Sequence, residues 1–273
     1  MLTDFRDKVA LVTGAAGGIG LGMTRALAEA GMNVAMVDVD EKVLAESVSL
    51  LRQDGASVIG LPLDVTDRAG WAEIAGRVST DLGPIQVLCN NAGVSTLGLL
   101  IDDVTPEIWD KVVEINLTGV FNGVKACLDQ MRAAGSGHIV NTSSMGGLVG
   151  FPSLSPYVAT KFAVVGFSES LRAELAGDGI GVSVLCPGSV RSRLWRTSRK
   201  VRGLPDIETP PDDMSGQSAS SEALDPYLVG LQVVDAIRDN KLYIVTDAQQ
   251  KSLVATRSER ILRAFDRLEK QDS

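Results

Sequence analysis

Tyr157 and Lys161 stand four residues apart in the run YVATKFAVVGFSESLRAEL, whose apolar residues recur at helical spacing. The phenol and the amine therefore share one helix face. A free phenol has a pKa near ~10 and is a poor base at neutral pH, but a lysine ammonium one turn away favours the phenolate and is expected to draw that pKa down. A tyrosine so placed exchanges a proton with an alcohol or carbonyl oxygen. Just upstream, NTSSMGG brings Ser143 and Ser144, hydroxyls suited to polarising the same oxygen. Taken alone, Tyr-x-x-x-Lys also fits an ordinary solvated helix face, so the rest of the chain has to decide.

The elements before it alternate. Lys8 to Gly14 (KVALVTG) is a short apolar, β-branched run of the kind buried on both faces of a parallel sheet. It enters GAAGGIG, with glycines at 14, 17, 18 and 20, and then a helix from about Ile19 to Ala30. A strand, a glycine-rich turn and a helix N-terminus together suit a pyrophosphate, because glycine permits close backbone approach and the helix end offers amide donors. The next strand, Asn33 to Val37, ends at Asp38, whose carboxylate is placed to accept hydrogen bonds from ribose hydroxyls. Asp38, Asp40 and Glu41 cluster without an arginine, which disfavours a 2′-phosphate and points to NAD over NADP. Asp40 and Glu41 also read simply as an acidic helix start.

Helix over 41–54, strand over 57–63, a helix to about Leu82 and a strand over 85–89 continue the pattern. The implied fold is α/β, a doubly wound parallel sheet (Rossmann fold) with helices on both faces, in one domain over residues 1–273. Ligands bind such sheets at the C-terminal ends of the strands, where Asp64 and Asn90 fall. Pro106 opens a long helix reaching toward Gly135, with Asn116 in its middle. A buried amide there needs partners. Strand 138–141 then delivers Ser143 and Ser144.

Composition removes several classes of function. The chain of 273 residues is 45% hydrophobic and 22% charged, ordinary for one globular domain, and its net charge of -8 argues against a nucleic-acid footprint. No apolar run reaches membrane-spanning length and no signal segment opens the chain, so a cytoplasmic protein is expected. Cys89, Cys127 and Cys186 lack paired spacing and read as reduced, buried thiols. His138 is the single histidine, which speaks against a Ser-His hydrolase or a histidine metal site and suggests a structural role.

Thr13-Gly14-x3-Gly18-x-Gly20, Asn90-Asn91-Ala92-Gly93, Asn116, Ser144, Tyr157-x3-Lys161 and Pro187-Gly188 occur in this order. In these motifs the chain resembles the short-chain dehydrogenases/reductases, in their single-domain branch, over roughly residues 5–190. The resemblance implies Tyr157 as acid/base, Lys161 as the partner that binds the nicotinamide ribose, and Ser144 as the hydroxyl on the substrate oxygen, with Ser143 the weaker candidate. It implies Asn116 as holder of a relay water. It gives the cofactor Gly14, Gly18, Ile19, Gly20 and Asp38, then Asp64 and Val65 at the adenine and Asn91, Ala92 and Gly93 along its length. Pro187, Gly188, Val190 and Ser192 follow at the carboxamide, with Ser192 where the family usually has threonine. The expected reaction is hydride transfer between NAD and a secondary alcohol or ketone, without a metal. The family's habits also imply a homodimer or homotetramer. A non-catalytic NAD-binding protein on the same fold is the alternative, and the presence of both Tyr157 and Lys161 weighs against it.

Residues 191–225 are individual. A basic stretch holding Leu194, Trp195 and Val201 precedes a segment rich in acids, Pro, Ser and Gly. A substrate lid is expected there, with arginines facing an anionic group or solvent, and Trp195 available to stack on a ring. A helix over 222–240, the strand KLYIVT and a charged helix over about 249–270 follow. Val254, Ile261, Phe265 and Leu268 form an apolar stripe on that last helix, expected to pack on its own subunit, with a partner subunit the other option. These closing features resemble the branch containing lignin-dimer Cα-dehydrogenases, implying a bulky or benzylic alcohol.

Overall fold

The computed structural model describes residues 2–205 and 223–269. Seven parallel strands form one sheet in the order β3-β2-β1-β4-β5-β6-β7. They are β1 Val9–Thr13, β2 Asn33–Asp38, β3 Val58–Pro62, β4 Ile85–Asn90, β5 Gly137–Thr142, β6 Ile180–Cys186 and β7 Tyr243–Val245. The order reverses between β1 and β4, and a crevice at such a switch point is where open α/β sheets bind ligands.

The strands alternate sides as a doubly covered sheet requires. Ala10 and Val12 of β1 face one core, together with α1 (Gly18–Glu29) and α2 (Glu41–Gln53), while Val9 and Leu11 face the other. The second core is closed by α3 (Arg68–Asp81), α5 (Gly119–Ala134) and α6 (Ser155–Glu174). On the first side, α8 (Pro226–Arg238) completes the layer through Val229, Val233 and Ile237. Side chains start these helices: Asp40 accepts from Val43 N–H, Asp67 from Ala69 N–H and Asp225 from Tyr227 N–H.

The long helix expected from Pro106 is interrupted. α4 (Pro106–Val113) passes through a π-helical turn, Glu114–Thr118, into α5. Asn116 sits in that turn, and π-turns concentrate at functional sites. Part of the expected lid, 206–222, lies outside the described residues. What precedes it forms a short helix, α7 (Leu194–Val201), lying against α4. The final helix, α9 (Lys251–Glu269), corrects an expectation. From 251 to 266 its side chains are exposed, Val254 alone being half-buried, so it does not pack its stripe on its own subunit. The side chain of Leu268 lies outside the described residues.

Candidate active site

The glycine-rich turn is built around close approaches. Gly14 and Gly18 have φ of 64° and 52°, in the left-handed region, and a Cβ on Gly20 would stand 2.1 Å from the Gly14 carbonyl oxygen. No side chain caps α1 at Gly17, and a Cβ there would meet nothing within 4 Å. Uncapped amides facing open space suit a phosphate-like anion. Ile19 packs its side chain on the first core, which fixes the helix start. Asp38 closes the cradle: its carboxylate accepts Ala16 N–H at 3.1 Å and Asp40 N–H at 3.0 Å.

The neighbouring strand end is tied to this turn. Asn91 and Ala92 N–H both donate to the Thr13 hydroxyl, at 2.9 and 3.0 Å, and Asn91 Nδ2 donates to Thr13 O at 3.0 Å. Thr13 was part of the motif but carried no role in the sequence reading. A threonine ending a buried strand, with a hydroxyl to satisfy, was the available signal. Asn90 points inward, donating to Asn141 Oδ1 at 2.9 Å. Asp64 is exposed and accepts both Thr66 N–H and its hydroxyl, at 2.9 and 2.8 Å. Val65 is buried, and its carbonyl receives Trp71 Nε1 and Asn122 Nδ2.

At the centre of the crevice, Ser144 hydrogen-bonds the half-buried Tyr157 phenol, and Ser144 Oγ accepts Gly146 N–H at 3.0 Å. Lys161, only 3% exposed, donates from Nζ to Thr142 O at 2.9 Å and lies 5.5 Å from the Tyr157 ring centroid. A Cβ on Gly93 would stand 3.2 Å from Asn116 Oδ1 and 3.5 Å from that Nζ, so this segment runs against both side chains. Asn116, the buried amide that needed partners, finds them in backbone. Its Oδ1 accepts Val94 N–H at 2.8 Å and its Nδ2 donates to Val94 O at 2.9 Å, so the side chain clamps the loop leaving β4. Ser143 Oγ is buried and donates to Lys161 O at 2.8 Å.

Electrostatics differ from the expectation of a lowered phenol. Burial pushes Tyr157 above its ordinary value, the Ser144 hydrogen bond pulling the other way. Burial also lowers Lys161 to about 8, with Cys186 opposing. Desolvation of both groups outweighs the attraction that spacing alone suggested.

Pro187 O accepts Met145 N–H at 3.0 Å, tying β6 to the serine loop, and Gly188 N–H donates to Thr246 Oγ1 at 3.1 Å. Val190 pairs with Leu224, and Arg191 forms an ion pair with Asp225, so the stem of the 191–225 segment is pinched shut. Ser192 stands over the cradle: a Cβ on Gly18 would lie 3.1 Å from its Cβ. Trp195 is 6% exposed, turned inward rather than offering an open ring face, and Arg202 Nη1 donates to Leu97 O at 3.4 Å. The two ends of the chain's basic stretch, Arg191 and Arg202, are thus held within the molecule.

Known proteins resemble this chain in sequence and in fold. Residues 8–203 match the profile of the short chain dehydrogenases. A C alpha-dehydrogenase of Sphingobium sp. (strain NBRC 103272 / SYK-6) is 33% identical over 250 residues, covering 89% of this chain and 82% of that one. A 3-alpha-(or 20-beta)-hydroxysteroid dehydrogenase of Mycobacterium bovis is 36% identical over 237 residues, covering 86% and 84%. In three dimensions, a short chain dehydrogenase/reductase of Burkholderia phymatum, solved in complex with NAD, superposes with a TM-score of 0.88 at 32% identity, covering 96% of this chain and 97% of that one. With its all-parallel sheet and a family match over most of its length, the chain belongs to the short-chain dehydrogenase/reductase family of oxidoreductases.

Proposed function

We propose that the protein is an NAD-dependent dehydrogenase/ketone reductase acting on a bulky or aromatic secondary alcohol, with Tyr157 as the acid/base. The observation that carries this reading is the Ser144–Tyr157–Lys161 cluster at the strand ends, beside the Gly14–Gly20 cradle. Asp38, at the end of β2 with Asp40 and Glu41 following, supports NAD over NADP, because a 2′-phosphate there would meet carboxylates. The hydroxysteroid and C alpha-dehydrogenase relatives support a large substrate. Assembly as a homodimer or homotetramer belongs to the same reading.

The residues present fit the dinucleotide: the uncapped start of α1 would hold the pyrophosphate, Asp38 the adenosine ribose, and Lys161 with Tyr157 the nicotinamide ribose. NAD supplies the hydride acceptor and, when oxidised, a positive charge at the nicotinamide. Ser144 orients the substrate oxygen toward the phenol. Tyr157 takes the alcohol proton as the carbon gives up its hydride, and returns it in the reverse direction. Since burial holds the phenol protonated, the positive charges around it must favour the phenolate in the working complex. Lys161 is one, largely protonated at pH 7 with its value near 8.

NAD reduction with aliphatic, benzylic and steroidal secondary alcohols tests the reading, each active case repeated with NADP. Turnover of one class with NAD is expected. Tyr157→Phe should lower kcat by about 10²–10⁴-fold while calorimetric NAD affinity stays within about threefold. Binding of NAD with no turnover of any class, or a Tyr157→Phe variant as active as wild type, removes the assignment.

A further inference from the structure

The described part of α9 leaves a paradox of composition. Leu253, Ile261, Leu262 and Phe265 are exposed on it, Leu262 and Phe265 by 62% and 61%, although side chains of this size are usually covered. The helix is held to its own body by little beyond Arg257 over the Phe162 ring, at 4.8 Å. Around the apolar residues its charge is basic: Lys251, Arg257, Arg260 and Arg263 against Glu259 and Asp266. The whole chain is the opposite, at net -8.

A second exposed surface has matching chemistry. Between β4 and the π-turn, Leu100, Ile101 and Trp109 are exposed, Ile101 by 64%. They are set among the exposed carboxylates of Asp102, Asp103, Glu107, Asp110 and Glu114, with Lys111 the single basic residue from 100 to 114. None of these acids forms an ion pair among the described residues. An apolar-and-basic helix and an apolar-and-acidic rim are complementary in both respects, and steering by opposite charge with burial at the centre is how specific interfaces are built.

We propose that α9 of one protomer docks on the 100–114 rim of a second copy of this chain. The inference rests on the reading that the protein assembles with itself, and it names the surfaces. About 28 Å of helix is available from 19 residues. In a two-fold pair the contact occurs twice, each subunit giving an arm and receiving one. The rim lies beside the active-site approach: α7 rests on α4, and Arg202 reaches Leu97. Docking would therefore brace the wall against which α7 lies in the partner.

Sedimentation of the full-length protein tests this. Wild type is expected to be an oligomer that dissociates as salt rises. Ile261→Glu/Phe265→Glu, changing residues exposed in the protomer, should weaken association about tenfold or more with circular dichroism unchanged. The native thiols are buried and pushed up to about 12, so introduced cysteines report alone. Mixing Leu262→Cys with Ile101→Cys protein under oxidation should link two different chains. A monomeric wild type overturns the assembly reading and the docking with it. An oligomer unchanged by the double variant and giving no mixed crosslink overturns the docking alone. Binding of α9 to anionic phosphatidylglycerol vesicles with unchanged mass assigns the helix to a membrane surface and also overturns it.

Discussion

Asp38 uses its two carboxylate oxygens on backbone amides, Ala16 N–H from the glycine-rich turn and Asp40 N–H from the start of α2. One side chain thus shapes the cradle and puts a negative charge at the edge where an adenosine ribose would lie. Asp38→Ala is expected to lose most of its preference for NAD over NADP, by about tenfold or more in the ratio of kcat/KM values, each tenfold being about 1.4 kcal/mol. Steady-state rates with both cofactors check this, and an unchanged ratio would place the discrimination elsewhere. The placement of these residues was legible in sequence, because Asp38, Tyr157 and Lys161 stand at positions set by strand ends and helix spacing. The direction of the Tyr157 shift was not. It depends on desolvation, which comes from the packing of the whole crevice and leaves no mark at Tyr-x-x-x-Lys. Asn116 was legible as a buried amide needing partners, yet its partner, the Val94 peptide, is 22 residues away in the chain.

Among the elements, α1 and α8 approach closely at their glycines. A Cβ on Gly22 would meet Pro226 O at 2.1 Å, and one on Gly230 would meet Gly22 O at 2.3 Å, so the two helices pack backbone to backbone. Arg25, Glu29 and Tyr227 continue the contact at the surface, with Arg25 stacked 5.1 Å over the Tyr227 ring. Gly230→Ala should cost about 1–3 kcal/mol, as overpacking does, because neither backbone can retreat without moving a helix. Urea unfolding would measure it, and a neutral change would show that the crossing is looser than the distances imply. The alternating apolar runs and glycine signals announced most strands and helices, since a doubly wound sheet imposes its period locally. The π-turn was not announced: its extra residue shifts the apolar phase by about 100°, but the run around it is apolar enough on several faces to hide the shift. Nor was the exposure of α9: a stripe such as Val254, Ile261 and Phe265 states that a face wants cover and is silent on what covers it.

At the scale of the whole molecule, His138 joins three strands. It is buried in β5, its Nε2 lies 2.7 Å from Ser183 Oγ in β6, and Ser183 donates to Lys241 O just before β7. With the serine proton committed to that carbonyl, the imidazole is the donor and stays neutral. Burial, reinforced by the charge of Arg172, lowers its pKa from 6.5 to about 3. The unfolded chain therefore binds the proton more readily between these values. The stability this group contributes is fully present above pH 6.5 and is lost as pH falls toward 3, by up to about 1.4 kcal/mol per pH unit. Unfolding free energies from pH 7 to 5 should decline accordingly, and His138→Gln should flatten that slope whatever its effect on absolute stability. An equal slope in the variant would assign the dependence to other groups.

Ser192 standing over Gly18, on a stem closed by Arg191 and Asp225 and carried through α8 onto α1, sets an order of events. The wall of the glycine-rich turn is also the root of the segment proposed to frame the substrate. A molecule already seated behind that root would bar the turn, whereas one seated in the turn leaves the entrance free and steadies its frame. Ligand addition is accordingly expected to be compulsory, nucleotide first and last to leave, with reduced nucleotide competitive against its oxidised form and noncompetitive against the alcohol.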